Sequence, residues 1–110
     1  VISSTHQEAG YSGTSRIYYA SSDCSVSAVS DGVVVSAGWN TSRGYSVQIV
    51  DENDMVWVYS HMDSLDVNAG DVVSTGDKIG VVGYTGWAEQ IQLELELWYG
   101  GQPINLNNLV

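Results

Sequence analysis

"VNAGDVVSTGDKIGVVGYTG" (67–86) sets the grain of this chain. Two Gly-Asp pairs, 70–71 and 76–77, stand six residues apart, and each leads into apolar residues. Gly-Asp ahead of an apolar residue is a tight turn feeding a strand. Two in succession make the folded corner of a small β-barrel or sandwich. Downstream, "IQLELELW" (91–98) alternates without a fault. Ile91, Leu93, Leu95 and Leu97 fall on one side; Gln92, Glu94, Glu96 and Trp98 fall on the other. That period of two belongs to a strand with one buried and one open face.

Working outward, the remaining chain reads the same way. "SVSAV" (25–29), "VVVSAG" (33–38), "YSVQIV" (45–50) and "MVWVYSHM" (55–62) are β-type runs. "SDG" (30–32) and the acidic turn "DEND" (51–54) separate them, the latter as a solvated hairpin turn. "DEND" lacks the ligand spacing of a calcium loop. No stretch carries helical periodicity with caps. Short strands at close spacing with Gly turns predict an all-β class: antiparallel sheets in a sandwich or partly open barrel. Residues 1–13 are polar, Gly/Ser/Thr-rich and unpatterned, so an irregular N-terminal arm is expected there, with one domain over 14–110. The chain begins at Val1 and not at Met, which suggests a fragment or processed product.

Thirteen acids against three bases (Arg16, Arg43, Lys78) give a formal charge of −10 over 110 residues. Such a surface repels phosphate backbones and anionic lipid, so nucleic acid is excluded as an expected partner. No apolar run has the length to insert directly in a membrane. A single cysteine, Cys24, cannot form an internal disulfide and suits a small buried hydrophobe. Seven Tyr and four Trp with no Phe give aromatics with polar tips, fitted to core and binding surface alike.

"SDGVVVSAG", "GYSVQIV", "VYSHM", "VNAGDVVSTGDKIGVVGYTG" and "LELELWYGGQPIN", in this order, resemble the lysostaphin/LytM-type zinc endopeptidase domain. The resemblance implies antiparallel sheets around a groove, built on a duplicated β-motif. In catalytic members that groove cleaves peptide cross-bridges of peptidoglycan. Their zinc is held by a His-x-x-x-Asp motif and the second His of a late His-x-His. The first His of that pair and another in "Tyr-x-His" serve as acid–base helpers.

Carried over position by position, the late His-Leu-His-Phe-Glu falls on "QLELE", so Gln92 and Glu94 stand in the two histidine slots. Aligning "RIYYA" (16–20) with Gly-Ile-Asp-Tyr-Ala puts Tyr18 in the aspartate slot and Thr14 in the histidine slot. The alternative, His6, has Gly10 and no acid four residues on. Only His61 of "YSHM" matches a catalytic histidine. Thr and Tyr are poor zinc ligands, and one Glu with one His does not make a zinc site. The resemblance thus implies a catalytically degenerate member with no catalytic residues and no metal. Its groove would be lined by Tyr18, Tyr59, His61, Trp87, Gln92, Glu94 and Glu96. A plain solvated strand face competes for Gln92, Glu94 and Glu96, and core or turn packing competes for Trp87. His61 reads either as an inherited strand residue or as a pH-sensitive partner of Glu94.

The implied function is binding within the bacterial envelope, outside the cytoplasm and as part of a longer exported or anchored protein. The ligand would be a partner protein, such as a cell-wall hydrolase that it regulates, or peptidoglycan. The alternative is an active zinc endopeptidase with atypical ligands. A sugar-phosphotransfer carrier on the same β-motif would need a second histidine opposite His61.

Overall fold

A computed structural model describes residues 7–12, 15–19, 24–88 and 90–106. They form ten strands: β1 (Gln7–Ser12), β2 (Ser15–Tyr19), β3 (Ser25–Ser27), β4 (Gly32–Asn40), β5 (Gly44–Val50), β6 (Val56–Leu65), β7 (Val72–Val73), β8 (Lys78–Val82), β9 (Gln92–Tyr99) and β10 (Gln102–Ile104). Every pairing between them is antiparallel. The main path runs β1-β2-β9-β6-β5-β4-β7, with β10 on β9 and the β3–β8 pair attached through β6.

The branch at β6 makes the second layer. Its first half lies between β5 and β9, while Met62–Leu65 pairs with β8. Two residues, Ser60 and His61, stand opposite the single Ser46 of β5, and this bulge turns the strand from one layer to the other. His61 takes a left-handed backbone there, φ 70°. Histidine is among the residues that tolerate this conformation best.

The leucines of β9 do what their spacing demands. Leu93, Leu95 and Leu97 are buried beneath β3 and β8, in one cluster with Val26, Ile79, Val82, Met62, Val47 and Ile49. Burying such a side chain stabilises the fold by about 1.5–3 kcal/mol. The Gly-Asp turns close as expected: the Asp71 and Asp77 carboxylates accept the N–H groups of Asn68 and Ser74. In the "DEND" turn the Asp51 carboxylate accepts the N–H groups of Asn53 and Met55 and the Trp57 indole N–H.

Two expectations are corrected. Residues 7–12, within the expected irregular arm, form strand β1 against β2, with a bulge between Glu8 and Gly10. Backbone pairing on the free edge of β2 gives that segment its structure where side-chain pattern gives no signal. Tyr59, expected in the groove, is fully buried on the core side of β6 opposite Leu95. Its hydroxyl accepts the Val29 N–H at 3.0 Å, and burial pushes the phenol up to about 12.

Candidate functional site

The open face of the sheet follows from register. Glu94 lies opposite Ser60, Glu96 opposite Val58, and Trp98 opposite Val56. On the other flank Ile17 pairs with Glu94, which leaves Ser15 on the same face two residues away. The carboxylates of β9 therefore meet side chains from β2 and β6, and from the hairpin that joins β4 to β5.

His61 is held at both ring nitrogens. Nδ1 lies 2.8 Å from the Thr85 carbonyl oxygen, and Nε2 lies 3.0 Å from Glu94 Oε1. A carbonyl only accepts, so the Nδ1 contact is a donated hydrogen bond, and Nε2 faces the Glu94 carboxylate. Ser15 Oγ donates to the other oxygen, Glu94 Oε2, at 2.6 Å. The hydrogen bond from His61, then that from Ser15, hold the Glu94 carboxyl below its ordinary value against the opposing effect of burial. The His61 side chain is 5% exposed and that of Glu94 26%.

Glu96 is engaged separately. Arg43 reaches it through Nε and Nη2, both at 3.1 Å, and the Trp98 indole N–H adds a third bond at 3.1 Å. The hydrogen bonds to Glu96 raise the Arg43 guanidinium above its ordinary value. Beside this clamp lies an open cavity of about 250 Å³ lined by Arg43, Gln48, Val56, Val58, Trp98 and the Gly100–Gly101 turn.

The loops that position His61 are fastened to one another. The His61 N–H donates to the Arg43 carbonyl at 2.7 Å. Thr85 Oγ1 donates to the Met62 carbonyl at 2.6 Å and accepts the Tyr45 N–H at 3.1 Å. Trp87 N–H donates to the Ser42 carbonyl at 2.9 Å. Gly86, at φ 69°, lies so near the hairpin that a Cβ there would press on Gly44 and on the Ser42 carbonyl. Only glycine allows that approach.

Of the expected groove residues, His61, Glu94 and Glu96 share one neighbourhood. Gln92 lies on the same face, half-buried, with its N–H donated to the Gly83 carbonyl. Trp87 is exposed on the turn that holds His61. Tyr18 is not on this face: it pairs with Leu93 and is 6% exposed in the core cluster. The strand's alternation sends Ile17 and Ser15 to the open side and the large phenol inward. Thr14 and the alternative His6 lie outside the described residues.

Sequence reading placed Trp98 on the open face of its strand but did not bring Ser15, Arg43 or Ser60 to the site. Ser15 and Ser60 come from other strands, and only the β2–β9 and β6–β9 registers put them beside Glu94. Arg43 carried its own signal, as one of three cations in an acidic chain. Ser60 is fully buried on this face, and its hydroxyl has no hydrogen-bond partner among the described residues.

The donor set does not fit a zinc ion. Both Glu94 oxygens are engaged, one by His61 and one by Ser15, and both His61 nitrogens are engaged. Tyr18 has turned into the core, and Gln92 offers a neutral amide. Among the described residues no three His, Cys, Asp or Glu side chains converge. A catalytic zinc needs three protein donors and an open position.

Known proteins share this architecture. A single-site mutant of the catalytic domain of the prophage-encoded M23 protein EnpA from Enterococcus faecalis superposes with a TM-score of 0.85 at 25% identity, covering 96% of this chain and 92% of that one. The glycyl-glycine endopeptidase ALE-1 of Staphylococcus capitis is 40% identical over 75 residues, 64% of this chain and 20% of that protein. The murein hydrolase activator NlpD of Escherichia coli (strain K12) is 36% identical over 80 residues, 71% of this chain and 21% of its own length. The chain thus spans about a fifth of the curated relatives it matches. Its kin include both an endopeptidase and a hydrolase activator. The sequence signature of peptidase family M23 covers residues 12–106, and the chain belongs to that family.

Proposed function

We propose that this domain is a non-catalytic member of its family, a binding module of the bacterial cell envelope. The observation that carries the reading is the mutual engagement of His61 and Glu94. The side chain in the slot of a metal-binding histidine occupies a ring nitrogen of His61, and Ser15 completes the hydrogen bonding of that carboxylate. What remains is a rigid, mostly satisfied polar face with a cavity beside it.

Its ligand is a protein partner of the envelope, a cell-wall hydrolase under its control being the example closest to NlpD by name. Peptidoglycan is the other ligand compatible with the family. The net charge of −10 favours a partner with a basic contact surface. Such a domain would work outside the cytoplasm, within a longer exported or membrane-anchored protein.

The test is capture of partners from envelope extract by the native chain and by Glu94→Ala and Glu96→Ala. The expected result is a partner retained by the native chain and lost with either variant. Identical partners in all three would refute the face as the interface. The identity with ALE-1 favours the competing reading, a zinc endopeptidase with unusual ligands. Cleavage of purified peptidoglycan in the presence of zinc, abolished by chelation, would establish that reading instead.

A further inference from the structure

Strand β4 is longer than the neighbour on its outer side. Gly32 and Val33 pair with Val73 and Val72 of β7, and Val34 still exchanges backbone bonds with Gly70 and Asp71. Beyond that point residues 36–40 pair with β5 on one side, and among the described residues no strand lies on the other. The Tyr45 N–H is donated to Thr85 Oγ1, which is itself bonded to the Met62 carbonyl of β6, on the far side of β5. Trp39 stands opposite Tyr45 and Ala37 opposite Val47, so both aim their N–H and C=O away from β5. Two outward donor–acceptor sets at a spacing of two residues are the template that an added strand needs.

Proteins guard such an edge with lysine, proline or a bulge. The stretch "VSAGWN" (35–40) has neither charge nor proline. The bulge in β4 falls between Val34 and Ser36, where β7 leaves, and the pairing with β5 runs regularly from Ser36 to Asn40. A Cβ on Gly38 would meet nothing within 4 Å, so the surface beside the edge is open too.

Charge selects the occupant. A second copy of the chain would bring another −10 to the contact, and the two would repel. At the foot of β4 lies an open cavity of about 510 Å³, lined by Asp31, Asp51 and Glu52 and, among the described residues, by no lysine or arginine. The backbone and side-chain hydrogen bonds from Thr75 hold the Asp31 carboxyl below its ordinary value, so it stays ionised. Arg43 and Lys78 face Glu96 and Asp66 instead. Val33, Val35 and Val72 are exposed along the same stretch, an apolar strip for the alternate side chains of a strand.

From this we infer that the outer edge of β4 takes an extended, basic segment of a partner protein as an added strand, with a lysine or arginine of that segment seated among Asp31, Asp51 and Glu52. The edge is separated from β9 by β5 and β6, and its role does not depend on what the β9 face binds.

The test is titration of the native chain with a peptide of alternating lysine and valine, eight residues and about 27 Å when extended. Amide shifts and hydrogen exchange are the readouts. The expected result is saturable binding, with shifts centred on residues 35–40 and slowed exchange of the Ala37 and Trp39 amides. The same peptide N-methylated throughout keeps its charge but cannot pair, and should bind at least about tenfold more weakly. A glutamate–valine peptide should not bind. Asp31→Asn combined with Glu52→Gln should weaken the lysine peptide about threefold, the scale of two exposed ion pairs. Amide spectra of that variant report that the fold is intact. Equal binding of the N-methylated peptide would overturn the inference, because it leaves charge attraction alone. Absence of saturable shifts on residues 35–40, or equal binding of the glutamate peptide, would overturn it as well. A native chain that sediments as a dimer, with the Ala37 and Trp39 amides protected, would overturn it too and give the edge to a second copy.

Discussion

Replacing Glu94 by alanine tests whether the His61–Glu94–Ser15 arrangement supports the fold as its geometry implies. The variant removes the acceptor of His61 Nε2 at 3.0 Å and of Ser15 Oγ at 2.6 Å. With the His61 side chain only 5% exposed, water cannot readily replace the lost partner. A hydrogen bond to a charged group contributes about 1.5–3 kcal/mol, and leaving a buried donor unmet costs a similar amount. Glu94 is 26% exposed, so part of its interaction is screened by solvent. The expected loss at pH 7 is about 2–4 kcal/mol. For a chain of 110 residues that corresponds to a fall in Tm of roughly 9–17 °C.

The pH dependence gives the sign. Glu94 has a depressed pKa in the fold, with the His61 hydrogen bond as the main cause. Its contribution is therefore fully present above the unfolded glutamate pKa, about 4.3, and is lost as pH falls through the lower folded value. Thermal melts of the native chain and Glu94→Ala at pH 7, and stepwise below pH 4.3, should show a wide gap that narrows in acid. Glu94→Gln, which still offers an acceptor, should fall between the two at pH 7. A difference below about 3 °C at pH 7, or a gap that does not narrow in acid, would refute the reasoning.

Arg43→Lys should destabilise by about 1–2 kcal/mol in urea titration, because an ammonium cannot reproduce the two-point contact with Glu96. Tyr59→Phe should cost about 1–3 kcal/mol by the same measurement, since the Val29 N–H loses its acceptor. In the native chain, absorbance titration should find one tyrosine resisting ionisation until about pH 12. Gly86→Ala should perturb the His61 and Arg43 amide signals, because its new methyl presses on the hairpin that bonds His61. Unchanged shifts there would show that the turn does not position the histidine.

The core was readable because it obeys a simple period. Leu93, Leu95 and Leu97 alternate with polar residues, and the structure buries all three. The Gly-Asp turns were readable because their carboxylates act within three residues in sequence. β1 was not, since it is held by backbone pairing that its composition does not announce. The site was half visible. His61 and Glu94 could be named from motif positions, but not the contact between them, which joins residues 33 apart. Ser15 lies 79 residues from Glu94, and only the β2–β9 register brings them together. Tyr18 and Tyr59 were assigned to the groove on motif position alone. Their strand parity sends both inward, and a phenol fills a core with its ring and satisfies its hydroxyl there.

The central claim is that His61 and Glu94 hold each other where an active relative would hold metal. The most direct measurement is nitrogen NMR of the His61 ring in the native chain, before and after a stoichiometric excess of zinc, with metal content read after dialysis. The expected spectrum shows both ring nitrogens hydrogen-bonded, one to the Thr85 carbonyl and one to Glu94, and unchanged by zinc. A ring-nitrogen signal that moves on adding zinc, with one tightly held equivalent surviving dialysis, would contradict the account.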